Sequence, residues 1–239
     1  MYIYPSLLPQ EVQLHLLSKL FYRDVCDPQH QTNVHIHYNV PYPPTGSSYF
    51  GCPAAGLIFE PKDQAVHKPF TTSQYLNKKL RWITLGGQYD WTHKVYPPGP
   101  PPPFPQDIKN LVEGLFPMKA EAAIVNMYSP GDTLSLHRDV SEECNQPLVS
   151  VSLGCDGIFV IGLDGGDMHS KPRIATLRLR SGDAVLMSGE SRYAWHSVPK
   201  VVEGTCPDWM QNWPGADHPS WAGWMKGKRI NLNVRQMFE

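Results

Sequence analysis

The sequence has no excess of charge of either sign. Its 239 residues include 21 Lys and Arg against 22 Asp and Glu, which gives a formal net charge of -1. A chain this close to neutral is not drawn to a polyanion by its overall charge. Any contact with nucleic acid must therefore depend on a local basic cluster, and we place that contact at Lys78, Lys79 and Arg81.

Closely spaced cysteines are missing as well. The five cysteines are scattered, and none of them forms a Cys-x-x-Cys pair. This pattern does not match a zinc site, and an odd number of cysteines fits a disulfide framework poorly. Reduced thiols are typical of intracellular proteins, so we expect this chain to be intracellular.

Long apolar runs are also lacking. No run approaches the roughly 20 residues that a membrane-spanning helix requires. The N-terminus does not show the basic-then-apolar layout of a signal peptide. We expect a soluble monomer without membrane contact, and we leave open whether it works in the nucleus, the cytoplasm or the mitochondrion.

The first half of the chain predicts helices and extended segments. Apolar residues at helical spacing predict one amphipathic helix over residues 7–24 and a second helix over residues 107–116. Residues 33–40 alternate in polarity and predict a strand. The proline-rich residues 97–105 cannot form a helix or a ladder, so we expect an extended connector there.

The second half of the chain predicts strands. About eight short strands, separated by turns such as SPGD and RSGD, follow residue 121. That many short strands in about 120 residues favour a sandwich or a jelly roll. We therefore expect one compact, mainly β domain, in which residues 1–120 form an N-terminal extension with helices and residues 121–239 form the core.

A possible metal site begins in the segment TLSLHRD. Leu134 and Leu136 alternate with polar residues, so His137 and Asp139 share one face if the segment is a strand. A His-x-Asp tripeptide alone is a weak signal, because a surface pair could look the same. A third candidate, His196, stands in another strand-like segment, and two His with one carboxylate is the ligand set of non-haem Fe(II) oxygenases.

The last predicted strand has two opposite faces. In RINLNVRQ, apolar residues alternate with Arg229, Asn231, Asn233 and Arg235. A face with two Arg is unexpected inside a barrel unless an anion lies there. Guanidinium groups bind carboxylates through paired hydrogen bonds, so a small dicarboxylate is a candidate ligand. The alternative is a basic edge strand that faces solvent.

Together, these segments resemble the AlkB family of Fe(II)- and 2-oxoglutarate-dependent dioxygenases. The matching segments occur in the family's order and near its spacing, and they cover residues 126–139, 147–162, 188–196 and 229–236. The flank before the core looks most like the eukaryotic subgroup that includes the first human AlkB homologue. The resemblance implies a double-stranded β-helix fold, which agrees with the jelly roll.

The resemblance also implies roles for individual residues. His137, Asp139 and His196 would bind iron. One group would hold the distal carboxylate of 2-oxoglutarate, and this group is Arg229 with Asn126 and Tyr128. A second group would lie by the 1-carboxylate end, and this group is Arg235 with Asn231.

Residues 80–97 resemble the nucleotide-recognition lid of the family. Trp82 and Tyr89 fall where the family has aromatic residues near the substrate nucleotide. One position departs from the bacterial pattern, since Ser141 replaces an acidic residue near the methylated base. Base selectivity therefore cannot be carried over. We interpret the tryptophan-rich insert, residues 197–228, as a loop that covers the barrel. Glu190 and Arg192 belong to the family pattern, and we expect them to form a structural ion pair.

The implied function is oxidative demethylation of N-methylated bases in nucleic acid. The reaction would require Fe(II) as a cofactor and would consume 2-oxoglutarate and O2. It would release formaldehyde, succinate and CO2. The expected substrate is N1-methyladenine in tRNA or methyladenine in DNA. Two alternatives stay open, namely a 2-oxoglutarate oxygenase acting on protein or a small molecule, and a nucleic-acid-binding module without turnover.

Overall fold

The computed structural model shows two β-sheets facing each other, with helices and a smaller sheet at one side. It describes residues 1–53, 55–90, 93, 95–97, 99–142, 144–165 and 171–238. The strands in these ranges are β1 Tyr2–Tyr4, β2 Tyr38–Asn39, β3 Ile58–Pro61, β4 Phe70–Thr71, β5 Trp82–Gly86, β6 Ala122–Tyr128, β7 Leu134–His137, β8 Leu148–Gly154, β9 Gly157–Leu163, β10 Arg173–Leu179, β11 Ala184–Met187, β12 Trp195–Val201 and β13 Arg229–Arg235. The α-helices are α1 Gln10–Tyr22, α2 Thr72–Gln74, α3 Gln106–Leu115 and α4 Asp208–Gln211.

The larger sheet has the strand order β1-β11-β8-β13-β6-β5, and the smaller facing sheet has the order β10-β9-β12-β7. The pairs in both sheets are antiparallel. The jelly-roll prediction is confirmed, and each of the eight strands predicted after residue 121 is present. Apolar side chains from both sheets pack between them, among them Leu148, Phe159 and Val198.

Residues from the predicted N-terminal extension complete the larger sheet. Strand β1 pairs with β11 at one edge, and β5 pairs with β6 at the other. Helix α1 buries Leu16, Leu17, Leu20 and Phe21 in the main core, as its helical spacing predicts. Strands from both sides of residue 120 therefore share one sheet and one core.

Both helix predictions are confirmed, by α1 and α3, but the strand prediction for residues 33–40 is wrong. Asn33–Ile36 form a 3-10 turn, and only Tyr38–Asn39 pair as a strand. Thr32 explains the difference, because its hydroxyl accepts a hydrogen bond from the Val34 amide. Such local bonds satisfy the backbone without a sheet partner, and alternation of polarity does not reveal them.

The tryptophan-rich insert packs on the helical side of the molecule. The rings of Trp213 and Trp224 lie 5.5 and 5.0 Å from that of Phe21 on α1. Trp221 and Trp224 also contact Phe50. Most of the insert's aromatic surface is therefore part of the core. Among the described residues, no helix is both long and apolar enough to cross a membrane.

Candidate metal and co-substrate site

A cavity of about 450 Å³ lies between the two sheets. Its floor is the inner face of the larger sheet, and its opposite wall is the smaller sheet. Arg229, Asn231, Asn233 and Arg235 all line it, so the prediction that these four residues share an inward face is confirmed. The apolar residues between them, such as Ile230, are buried on the other side of β13.

His137, Asp139 and His196 meet at this cavity. Their ligand atoms all lie within 4.8 Å of one another. Asp139 Oδ1 is 4.0 Å from His137 Nε2, and Asp139 Oδ2 is 3.7 Å from His196 Nε2. Two ligands of one ion can be at most roughly 4.2 Å apart when each bond is about 2.1 Å long. Both separations are short enough for one metal ion.

Strand pairing brings the two histidines together. β7 and β12 pair so that His137 lies directly opposite His196, with ring centroids 4.3 Å apart. The Nδ1 of His137 lies 2.8 Å from the Ser135 carbonyl oxygen, and that of His196 lies 3.0 Å from the Ala194 carbonyl oxygen. A carbonyl only accepts, so each Nδ1 carries the proton and each Nε2 keeps its lone pair for a metal.

Arg235 sets the charge of Asp139. Its Nη2 lies 2.9 Å from Asp139 Oδ1. Burial opposes ionisation of Asp139, but Arg235 and the two imidazoles outweigh burial, so the pKa of this carboxyl lies below its usual range. Burial lowers the pKa of His196. The site therefore presents a carboxylate and a neutral imidazole, which are the forms that bind a metal.

A second acidic residue holds this arrangement from behind. Glu142 Oε2 lies 2.8 Å from Arg192 Nη2, and Glu142 Oε1 lies 3.3 Å from Arg235 Nε. Arg192 also donates to the Asp139 carbonyl oxygen at 2.8 Å. Each side chain of the Glu142–Arg192 pair is only 2% exposed. The backbone and the side chain of Asp139 are therefore both fixed by one buried network.

Glu190 does not lie where the pattern of the SGESRYAWH segment predicts it. Glu190 and Arg192 stand two apart, and we expected them to form a structural ion pair. That prediction is wrong. Glu190 pairs with Arg173 at the surface, whereas Arg192 points inward to Glu142. The 3-10 turn Gly189–Tyr193 accounts for this, because neighbours in such a turn point in different directions.

Arg229 fits one end of an anionic ligand. It is 1% exposed, and only its Nη2 donates a hydrogen bond, to the Ser152 hydroxyl at 3.0 Å. Its Nε and Nη1, and the hydroxyl of Tyr128, have no hydrogen-bond partner among the described residues. Gly157 leaves this guanidinium room, since a Cβ there would lie 2.5 Å from Arg229 Nε. Buried donors without partners are costly, so a carboxylate suits this place.

The other predicted co-substrate residues are arranged differently. Asn126 lines the cavity and lies opposite Asn231 in the sheet. The Asn231 amide donates to the Ser150 hydroxyl at 2.9 Å and to the Val151 carbonyl oxygen at 3.0 Å. Arg235 is already paired with two carboxylates. Among the described residues, Arg229 thus has two guanidinium nitrogens without a hydrogen-bond partner, whereas the one such nitrogen of Arg235, Nε, lies 3.3 Å from Glu142 Oε1.

Aromatic residues from the lid-like segment border the cavity. Tyr89 lines it, with its hydroxyl 3.1 Å from that of Ser141. Tyr96 packs edge-on against Tyr89, with ring centroids 5.3 Å apart. Burial raises the pKa of Tyr96, and Arg235 lies beside it. Trp91, Thr92 and Lys94 of the predicted lid lie outside the described residues.

Trp82 lies at the edge of the cavity floor. It is directly opposite Asn126 across the β5–β6 pair, so both side chains project from the same face of the sheet. Asn126 lines the cavity. Trp82, which is half-buried, is therefore placed beside the space that a ligand in the cavity would occupy.

The three basic residues before Trp82 do not form one surface. Lys78 and Lys79 are exposed at the end of the π-helical turn Tyr75–Lys79. Arg81 instead forms an ion pair with Asp132, in the turn that leads to β7. Lys79 and Lys78 can meet a phosphate directly, whereas Arg81 links two loops.

Comparison with known proteins agrees with this geometry. The sequence model of the 2OG-Fe(II) oxygenase superfamily matches residues 1–235. The chain belongs to this superfamily. The AlkB resemblance is also confirmed, since the chain is 52% identical to the N6-methyladenosine RNA demethylase ALKB1 of Pyricularia oryzae over 99% of this chain and 74% of that protein. As a 2OG-Fe(II) oxygenase, it uses Fe(II), 2-oxoglutarate and O2.

Two further relatives of this oxygenase extend the comparison. The tRNA demethylase abh1 of Schizosaccharomyces pombe is 40% identical over 98% of this chain and 78% of its own length. The solved structure of OsALKBH1 superposes with a TM-score of 0.57 at 20% identity and covers 98% of this chain and 95% of that one. The latter likeness shows the same fold across the whole chain.

Sequence reasoning missed two residues of this oxygenase site and misassigned a third. Glu142 follows the His-x-Asp motif by three positions, and an acidic residue so near the motif could have marked it. Arg192 was noticed but assigned to the wrong partner. Tyr96 stands at the end of the lid-like segment, and only its contact with Tyr89 identifies it.

Proposed function

We propose that this oxygenase removes N-linked methyl groups from adenine in nucleic acid, and that RNA is its main substrate. Its relatives include proteins named as an N6-methyladenosine RNA demethylase and a tRNA demethylase. Another relative, 36% identical, is named a DNA N(6)-methyladenine demethylase. N-methyladenine is thus the base that the names of two of these relatives share. DNA is the alternative substrate, and an experiment must compare it with RNA.

One observation supports this proposal most. The His137–Asp139–His196 triad, the unpartnered donors of Arg229 and the aromatic border at Tyr89 all face one cavity. We assign the triad to iron and Arg229 with Tyr128 to the distal carboxylate of 2-oxoglutarate. A cavity of about 450 Å³ has room for a co-substrate of five carbons beside one base.

The chain's own residues position the reaction. The backbone carbonyls of Ser135 and Ala194 hold the imidazoles with Nε2 toward the metal. Arg235 keeps Asp139 ionised. When bound, Fe(II) with 2-oxoglutarate and O2 supplies the oxidising power that hydroxylates the N-methyl carbon, and 2-oxoglutarate becomes succinate and CO2. The hydroxymethyl amine then breaks down to formaldehyde and the unmodified base.

The lid-like residues select the base. We infer that Trp82 and Tyr89 stack on or border it, and that the Tyr89 and Ser141 hydroxyls meet its polar edge. These neutral hydroxyls can both donate and accept, so they suit an adenine edge that offers both functions. A base paired or stacked in a folded RNA must first leave its stack to reach this cavity.

The experiment that tests the proposal is a screen of matched oligonucleotides. Single-stranded RNA and DNA of one sequence, each with N1-methyladenine or N6-methyladenine at one position, are incubated with the Fe(II)-loaded protein and 2-oxoglutarate. Nucleoside mass spectrometry should show loss of the methyl group, faster in RNA than in DNA. Absence of demethylation from all four oligonucleotides, together with turnover of a peptide or a small molecule, would refute the assignment.

A further inference from the structure

The smaller sheet has a groove on its outer face, on the side away from the iron site. We propose that this groove binds an unpaired nucleotide next to the methylated one in a single-stranded nucleic acid. The inference rests on the proposed function and extends it, because it adds a second contact outside the cavity. The groove is formed by Trp195, Gly162 and Ile174, which lie side by side on three neighbouring strands.

Strand register builds this groove. Trp195 of β12 lies opposite Gly162 of β9, and Gly162 lies opposite Ile174 of β10. The two large side chains are thus two strands apart, roughly 10 Å, with a glycine floor between them. A Cβ on Gly162 would already be 3.5 Å from the Ile174 side chain. The absence of a side chain at residue 162 therefore keeps the groove open.

The size and the walls of the groove suit a flat aromatic ring. Its volume is about 350 Å³, and Leu136 and Val160 extend its apolar lining. Leu136 is 62% exposed, Ile174 is 66% exposed and Trp195 is 38% exposed. Apolar side chains this exposed are costly in water, and a base that stacks on Trp195 would cover them.

Arg138 connects this groove to the reaction cavity. Its guanidinium carbon lies 5.2 Å from the centre of the Trp195 ring, and Arg138 also lines the cavity. It stands between His137 and Asp139, directly after β7, the edge strand of the smaller sheet. A nucleic-acid strand that leaves the cavity over this edge therefore meets Arg138 first and Trp195 next.

The charge of this region favours a polyanion over an apolar peptide. Within the described ranges, Arg138 forms no ion pair, whereas the exposed Arg173 is paired with Glu190. The Arg138 guanidinium beside an exposed indole provides both parts of a single-strand site, namely phosphate attraction and stacking. Asp164 also lines the groove, and its negative charge would repel phosphates and favour their placement at Arg138.

Two groove variants and a matched control test this inference. Trp195→Ala removes the stacking surface, and Gly162→Val fills the floor without changing any ring or charge. Trp209→Ala is the control, because Trp209 is also 38% exposed but lies in the insert. Binding of an unmethylated nine-nucleotide single-stranded RNA is measured by fluorescence anisotropy. The KM for 2-oxoglutarate is also measured, to show that the iron site, whose residue His196 follows Trp195 in the chain, is intact.

Both groove variants should weaken binding of the nine-nucleotide RNA by about 5- to 150-fold, the loss expected for one stacked base. Trp195→Phe should restore most of the binding, and Trp209→Ala should bind like the wild type. With a methylated adenosine monophosphate, which cannot reach both sites, the groove variants should turn over at the wild-type rate.

Wild-type RNA binding by both groove variants would overturn the inference, and so would an equal loss in Trp209→Ala. Either result leaves the proposed demethylation untouched, because binding of unmethylated RNA does not depend on turnover. Conversely, failure of the wild type to demethylate any oligonucleotide would refute the proposed function but not the groove. The two failures are therefore distinguishable.

Discussion

The guanidinium of Arg235 lies 2.9 Å from Asp139 Oδ1, whereas the other carboxylate oxygen faces His196. One arginine thus occupies one oxygen of the carboxylate in the triad and leaves the other toward the imidazole. The pair is almost fully enclosed, with side chains 6% and 14% exposed. Arg235 is therefore part of the metal site's charge balance.

Removing this arginine should make metal binding depend on pH. Without Arg235, burial would raise the pKa of Asp139, since burial is the largest influence on that group. Protons would then compete with the metal as the pH falls. Relative to the wild type, Arg235→Leu should lose more Co(II) affinity at pH 6 than at pH 8, as measured by calorimetry. Arg235→Lys should behave more like the wild type. An equal affinity ratio at both pH values would contradict this role.

Glu142 should be more important for stability than its distance from the metal suggests. Its removal leaves two buried arginines, Arg192 and Arg235, without their shared partner. Loss of one member of a buried ion pair costs about 3–5 kcal/mol. Glu142→Ala should lower the free energy of unfolding by that amount in urea denaturation.

The matched control for Glu142 is Glu190→Ala. That residue pairs with Arg173 where both side chains are at least 70% exposed. Exposed pairs contribute little, so this variant should unfold close to the wild type. Similar losses of stability in both variants would show that the buried network contributes no more to stability than an exposed ion pair.

Arg229 should control the affinity for 2-oxoglutarate. The loss of a charge-assisted pair costs on the order of 2–3 kcal/mol, so Arg229→Ala should raise the KM for 2-oxoglutarate by roughly 30- to 150-fold. Arg229→Lys keeps the charge but not the planar guanidinium, so its KM for 2-oxoglutarate should lie between that of the wild type and that of Arg229→Ala. Co(II) affinity should not change, which separates this role from that of Arg235. A wild-type KM in Arg229→Ala would remove the residue from the co-substrate site.

Lys228 should shift stability with pH. Burial lowers its pKa from 10.5 to about 8, although its Nζ donates to the Asn77 carbonyl and the Ser129 hydroxyl. Between about pH 8 and 10.5 the unfolded chain binds more protons at this residue than the folded chain does, so its contribution to stability rises with pH. Relative to Lys228→Met, the wild type should therefore gain stability across this window in urea denaturation. A constant difference would contradict the lowered pKa.

Variants of the lid-like segment should distinguish base stacking from charge attraction in substrate binding. If Trp82 or Tyr89 contacts the base, its replacement by alanine should slow demethylation while 2-oxoglutarate decarboxylation without substrate continues. Changing Lys78 and Lys79 to alanine should instead weaken RNA binding for all sequences and flatten its dependence on salt. Wild-type demethylation by both aromatic variants, measured by mass spectrometry, would refute the lid assignment.

The sequence predicted the features that repeat along a strand. Alternation in β13 placed Arg229 and Arg235 on one inward face, because side chains two apart on a strand point the same way. The spacing of His137 and Asp139 placed both on one face for the same reason, and a second strand-like segment supplied His196 as the third candidate ligand.

What the sequence could not show depends on contacts between distant positions. Glu142 and Arg192 are 50 residues apart, and no periodicity connects them. Arg81 was assigned to nucleic acid from its charge alone, whereas its partner Asp132 lies on another loop. At Asn33–Ile36, a single threonine cap decided the local structure against the alternating pattern.

The most direct test of the central claim is to count products in one reaction. Fe(II)-loaded protein, 2-oxoglutarate and an RNA oligonucleotide with one N-methyladenine are mixed, and formaldehyde, succinate and unmodified adenosine are measured together. The account predicts that formaldehyde and unmodified adenosine rise in equal amounts, that succinate rises at least as much, and that Asp139→Ala produces none of the three. Succinate without formaldehyde from the wild type, or unmodified adenosine from Asp139→Ala, would contradict it.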